Sequence, residues 1–284
     1  MAIEVFPATP ILGAEVTGVD LTQPLDDSTF NAVNDALVKH SVIVIRDQDL
    51  SPDQLVGFSA RFGPLMVHSL KKALLEGYPE IYRLSNKKVE GKAQGRAYAG
   101  QYWHSDLTYE PQPSMGSVLY GIEVPDFGGD TLFASTAHAF ETLSEPMQKM
   151  LEGLTAEHQF GHAFRAGINA AARPDDPDLK SVVHPVVRVH PESGRKCLFV
   201  NEGFTVRIND VTPAESTALM AFLHTHMTRA EVVFRHKWRN GDVVVWDNRA
   251  LVHRGVGDYG EGQTRHMYRT TIADTAAEAA QAAE

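Results

Sequence analysis

The run QYWHSDLTYE, residues 101–110, sets a histidine and an aspartate two residues apart in an aromatic, β-prone stretch. Side chains on a strand alternate faces with period two, which predicts His104 and Asp106 on one face and Ser105 on the other. An imidazole and a carboxylate on one face can be two ligands of a metal ion, or an ordinary hydrogen-bonded pair. The local sequence leaves both readings open, and a third ligand is needed to separate them.

The chain has thirteen histidines. His224 and His226 lie two apart on an expected helix, so they point about 200° apart and share no ligand face. His184 and His190 flank an expected strand, and His40 and His158 sit near element ends; these read as surface or structural residues. His253 differs. It follows GDVVVWDNRALVHRG, a strand, a tight polar turn and a return, which can bring it to the stretch bearing His104. Two histidines and one carboxylate form the facial triad that holds non-haem Fe(II) and leaves coordination positions open. Zinc competes for the same donor set, although no H-E-x-x-H occurs. A second signal is RHMYRTTI, where Arg265 and Arg269 are four apart on an expected strand and so share a face. Two guanidiniums together are either solvated surface charges or a buried pair that requires anions, which arginine binds bidentately.

The elements that must position these residues are mostly strands. Segments such as SVIVIRDQ, SVLYGIEV, DTLFAS, VVHPVVRVH, KCLFVN, EVVFRHKW, GDVVVW and HMYRTTI are short, apolar and punctuated by Gly or Pro. PESGRK, between VVRVH and CLFVN, is a hairpin signal. Val42, Ile43, Val44 and Ile45 predict a strand buried on both faces. Helices are expected over 27–40, from Pro52 behind a Ser51/Gln54 capping box to a stop at Gly63-Pro64, over about 136–152, and from Pro213 behind a Thr212/Glu215 capping box to about Arg229. Residues 86–100 and 166–180 read as loops, the former mobile, and the Ala/Glu-rich tail from about 273 as frayed. Strands without regular helical crossovers argue for a mainly-β fold with flanking helices, a sandwich or jelly roll. Neither a repeat nor a composition break divides the chain, so 1–284 is expected to be one domain.

The net charge of −10 and the absence of a basic stripe argue against nucleic acid as a partner. No apolar run approaches the roughly 20 residues that span a bilayer, and the N-terminal residues do not pattern as a signal peptide. The single cysteine, Cys197, sits in an apolar run and reads as a buried thiol. These features predict a soluble cytoplasmic protein, expected to be a homo-oligomer.

In order along the chain, GAEVTGVDL, VIVIRDQ, the FGPL turn at 62–65, WHSDLTY, GGDTLFAS, HPVVRVHPESGRKCLFVNEGFTVRI, GDVVVWDNRALVH and RHMYRTTI resemble the Fe(II)- and 2-oxoglutarate-dependent dioxygenases of the taurine dioxygenase type. That group includes alkylsulfate and aryloxyalkanoate dioxygenases. The resemblance implies a double-stranded β-helix (jelly roll), with Fe(II), 2-oxoglutarate as cosubstrate, and O2. It implies His104, Asp106 and His253 as iron ligands, and Thr131 and Arg265 as the cosubstrate's partners. It implies Arg269 and His68 at the anion of the prime substrate, Phe164 and Phe204 as aromatic walls, and Leu107 on the substrate side. Lys71 stands where the taurine pattern has a tyrosine, Gly100 where it has an asparagine, and Ala163 where it has a serine, so the amine-reading end of the pocket is changed. The implied activity is hydroxylation of a small anionic substrate, first an alkylsulfonate with release of sulfite and an aldehyde. The alternatives are an aryloxyalkanoate or alkylsulfate, or, in another class, a catalytically silent binding protein. Related halogenases lack the metal carboxylate, so Asp106 points to hydroxylation.

Overall fold

The computed structural model describes residues 3–68, 70–168, 180–260 and 262–275. It is mainly β, with a nine-stranded sheet among the described residues. The middle of that sheet runs, in spatial order, Val42–Ile45, Val243–Asp247, Ser114–Glu123, His266–Ala273 and Tyr78–Ser85. These strands are antiparallel, with Val244 between Val44 and Leu119, and Arg269 between Leu119 and Tyr82.

The strand Val42–Ile45 is buried on both faces, as its unbroken apolar run predicts. Ile43 and Ile45 pack with Leu37 and Leu55 from the helical side. Val42 and Val44 share a second core with Phe133 and Leu251. Phe133 and Leu251 belong to a three-stranded sheet, Val233–His236, Thr131–Ser135 and Leu251–Gly255, so this second core lies between the two sheets. The chain between Val243–Asp247 and Leu251–Gly255 therefore turns a corner from one sheet to the other and does not form a hairpin. That corner is tied by buried Asp247, which accepts from Arg249 and lies 2.9 Å from His190 Nε2. The PESGRK signal does form a hairpin, Val187–Val189 with Lys196–Leu198.

Helix α1, Asp27–His40, is capped by Asp26, and α2, Pro52–Ser59, by the Ser51/Gln54 box. The helix expected over 136–152 is two, α3 (Thr136–Glu141) and α4 (Glu145–Glu152). Pro146 explains the break, because a continuous helix would need its missing N–H to bond the Thr142 carbonyl. A short α5 follows at His162–Arg165, and α6, Pro213–Met227, begins at the Thr212/Glu215 box and stops two residues before Arg229. No described helix is long and apolar enough to cross a membrane.

The irregular loop expected over 86–100 is corrected. It contains a small hairpin, Lys88–Val89 with Lys92–Ala93, and Arg96 forms a parallel bridge with Leu84. Most of the loop expected over 166–180 and the tail beyond 275 lie outside the described residues.

Candidate active site

His104 and His253 face each other as an antiparallel bridge: each backbone N–H donates to the other's carbonyl, at 3.0 and 2.7 Å, and their ring centroids are 4.2 Å apart. The continuous strand expected through 101–110 is corrected. The chain turns after Ser105, with Leu107 at φ 58° and Glu110 N–H donating to the Leu107 carbonyl. Asp106 thus reaches the histidines by a turn, not by strand alternation. Ser105 does face away, its Oγ donating to the Asn248 carbonyl at 2.6 Å. One ligand atom from each of His104, Asp106 and His253 lies within 4.8 Å of the others, and all three residues are buried. The separations from the carboxylate are 3.8 Å for His104 Nε2 and 3.9 Å for His253 Nε2.

The surroundings fix the chemical state of these donors. His104 Nδ1 lies 2.8 Å from the Tyr102 carbonyl, which places the proton on Nδ1 and leaves the Nε2 lone pair free. Burial pushes both imidazoles below their ordinary pKa, so they are neutral at neutral pH. Burial, the largest single influence, opposes ionisation of Asp106, but the Arg269 guanidinium, the two neighbouring imidazoles and the Ser117 hydroxyl together outweigh it and hold the carboxyl well below the usual range. Arg269 Nη1 donates to Asp106 Oδ1 at 3.0 Å and Ser117 Oγ to Oδ2 at 2.9 Å. Asn248 Oδ1 accepts from the Asp106 N–H at 3.2 Å, and Asn248 is itself fixed by Trp246 Nε1 and Ser114 Oγ. Two neutral imidazoles and one ionised carboxylate are the donor set of an open-sided divalent metal site, and the residues present fit such an ion.

A cavity of about 90 Å³ opens beside this cluster. His68, Leu107, Thr131, Phe204, Arg265 and Arg269 all line it. Arg269 is 8% exposed, which removes the surface-charge alternative for it, and its Nε is buried without a hydrogen-bond partner among the described residues. Arg265 reaches the cavity from just before the strand His266–Ala273, its Nε donating to the Gly129 carbonyl at 3.0 Å. Gly129, at φ +69°, leaves room for that side chain, since a Cβ there would stand 3.2 Å from Arg265 Cδ. Thr131 Oγ1 accepts from Trp238 Nε1 at 3.0 Å.

His68 stacks on Tyr82 with centroids 4.3 Å apart, and its Nδ1 accepts from Leu70 N–H at 3.0 Å. Burial, with help from Arg269, pushes its pKa down to about 3. It therefore offers a neutral Nε2–H donor to the cavity, not an imidazolium.

Phe164 is the one expected wall residue that does not line the cavity; it packs behind, against Tyr102, Ala163 and Phe204, and Phe160 lines the cavity instead. Lys71 stands outside, on an adjoining groove. Gly100 has a geometric reason: it sits at φ +67°, and a Cβ there would come within 2.7 Å of His104 Cε1. Tyr82, Arg96, Tyr102 and Tyr109 also line the cavity and were not expected from the sequence. Tyr82 has a register signal, since it pairs directly with Arg269 across neighbouring strands.

Comparison with known proteins agrees with this geometry. Residues 4–271 match the family described as taurine catabolism dioxygenase TauD, TfdA family. The chain is 33% identical over 287 residues to the alpha-ketoglutarate-dependent 2,4-dichlorophenoxyacetate dioxygenase of Cupriavidus pinatubonensis, covering 97% of this chain and 99% of that protein. It is 35% identical over 287 residues to the alpha-ketoglutarate-dependent sulfate ester dioxygenase of Pseudomonas putida, covering 96% and 90%. A crystal structure of a taurine dioxygenase from Burkholderia xenovorans superposes with a TM-score of 0.83 at 36% identity, covering 96% of this chain and 90% of that one. With its buried His-Asp-His cluster beside three cavity arginines, the chain belongs to the TauD, TfdA family of 2-oxoglutarate-dependent dioxygenases.

Proposed function

We propose that the chain hydroxylates a small anionic substrate, an alkylsulfonate in the first instance, releasing sulfite and an aldehyde. The observation that carries this is Arg269, a buried guanidinium whose Nε has no partner among the described residues, beside the His104–Asp106–His253 cluster. In this reading those three residues hold Fe(II), Arg265 and Thr131 receive the distal carboxylate of 2-oxoglutarate, and Arg269 with His68 Nε2–H receives the substrate's anion. Leu107 and Phe204 form apolar walls. When bound, Fe(II) and 2-oxoglutarate supply with O2 the oxidising power, with succinate and CO2 as by-products.

The protein's part is binding and orientation. An anion clamped at Arg269 holds its neighbouring C–H beside the metal ligands, because Arg269 and Asp106 are in direct contact. Ser117 and Asn248 keep the carboxylate in one orientation, and the aromatic walls limit water. Aryloxyalkanoate or sulfate-ester cleavage is the second reading, favoured by the names of the relatives from Cupriavidus pinatubonensis and Pseudomonas putida. We infer further that residues 1–284 are one catalytic domain whose two main sheets form a double-stranded β-helix, a reading supported by the apolar core they share.

The test is a panel of alkylsulfonates, alkyl sulfates and phenoxyacetates with Fe(II) and 2-oxoglutarate under air. Succinate is measured alongside sulfite, sulfate and phenol. Sulfite release from a sulfonate is the expected outcome. A neutral compound of similar size outrunning every anion would overturn the pocket reading.

A further inference from the structure

We propose that the substrate pocket continues into a second anion subsite, formed by Arg96 and the Tyr82 hydroxyl, so that the preferred substrate carries a second acidic group distal to the one at Arg269. This rests on the reading of Arg269 given above and extends it to a substrate class: sulfonates, sulfate esters or aryloxy acids bearing a further carboxylate or sulfonate.

Two cavities meet here. The inner one, about 90 Å³, holds the ligand cluster; the outer one is a groove of about 620 Å³ whose lining includes Lys71 and Lys72. Tyr82 and Arg96 line both, so they form the passage between them. Tyr82 is only 3% exposed, yet its hydroxyl has no hydrogen-bond partner among the described residues. A buried hydroxyl without a partner is costly, and a ligand oxygen at this passage would remove that cost.

Arg96 is held in place by its backbone. Its N–H donates to the Arg83 carbonyl and its own carbonyl accepts from Ser85 N–H, both at 3.0 Å. Gly95 makes this approach possible, since a Cβ there would lie 2.5 Å from the Arg83 carbonyl oxygen. The Arg96 backbone is therefore fixed at an edge, and the residue lines the same passage as Tyr82. Its positive field reaches His68 and Tyr102 on the cavity wall.

The experiment uses the protein loaded with Mn(II) and N-oxalylglycine, in which no turnover occurs. Binding is measured calorimetrically for ω-carboxyalkylsulfonates of three to six carbons and for alkylsulfonates of matched length. At least one dianion is expected to bind about ten-fold or more tighter than its matched monoanion, the order of one charge-assisted hydrogen bond. Arg96→Gln should bring that ratio close to one, Arg96→Lys should keep part of it, and Tyr82→Phe should lower it several-fold. A wild-type ratio near one across the whole series overturns the proposal, as does a ratio that survives Arg96→Gln. Normal sulfite release from monoanionic sulfonates in the Fe(II) enzyme, alongside either result, would leave the reading of Arg269 standing while the second subsite fell.

Discussion

Replacing Arg269 by Met should destabilise the metal-free protein far more than the metal-loaded one. Arg269 is 8% exposed and Asp106 is 5% exposed, and the 3.0 Å bond between them joins the ligand carboxylate to a fixed countercharge. Removing one member of such a buried pair costs about 3–5 kcal/mol, because the other charge is left uncompensated. Ser117 still donates to Asp106 Oδ2, which favours the lower end, about 3 kcal/mol. For a chain of this size that corresponds to a fall in Tm of roughly 6–12 °C. A bound divalent ion supplies the missing positive charge, so with saturating Mn(II) the fall should shrink to about 3 °C or less. The sign with pH follows from the depressed Asp106 pKa: its contribution is present above the unfolded value of about 3.9 and is lost as pH falls through the lower folded value. The wild-type advantage should therefore be steady from pH 6 to 8 and close in strong acid. Calorimetric melts of both proteins after chelation and after Mn(II) addition read all of this. An equal fall in Tm with and without Mn(II) would mean that Arg269 acts through packing on Tyr82, and the electrostatic reasoning would be refuted.

Changing any one of His104, Asp106 or His253 to Ala should abolish Fe(II)-dependent succinate formation, whereas Ser105→Ala, which loses the 2.6 Å bond to the Asn248 carbonyl and a long contact to its Oδ1, should cost about 1 kcal/mol of stability and little activity. Arg265→Lys keeps the charge and loses the fork, so the apparent requirement for 2-oxoglutarate should rise about ten-fold with metal affinity retained; a change confined to the prime substrate would mean that the two arginines are assigned the wrong way round. Because His68 is neutral well below pH 6, substrate affinity should stay level as pH rises through about 6.5, and a fall there would show that an imidazolium binds. Gly100→Asn should weaken Mn(II) binding about 10–100-fold by pushing on the His104 ring, read by metal titration.

Much of the scaffold was legible because its signals are local. Capping boxes at Ser51 and Thr212 fixed two helix starts, and the run VIVI announced a strand buried on both sides. Two expected elements are interrupted where one local signal competes with another. Residues 136–152 look like one helix in sequence, and the missing N–H of Pro146 divides them into two. Alternation in WHSD predicts a strand, and the turn at Leu107 ends it, although the side chains of His104 and Asp106 still converge.

What stayed hidden depends on register between distant segments. The carboxylate of Asp106 is oriented by Asn248, Ser114, Ser117 and Arg269, which come from three separate strands or their ends. Each of these residues is unremarkable in sequence; a serine on a strand carries no mark of the ligand it will hold. Their roles appear only when the strand Ser114–Glu123 lies between Val243–Asp247 and His266–Ala273, which places Ser117 opposite Trp246 on one side and Thr271 on the other. The same register sets Tyr82 opposite Arg269, and so puts a phenol beside the guanidinium on the cavity wall. The triad could be read as a possible site from donor types alone, because metal binding restricts which residues may serve. The cradle could not, because any small polar residue at the right register would satisfy it, and register is a property of the whole sheet.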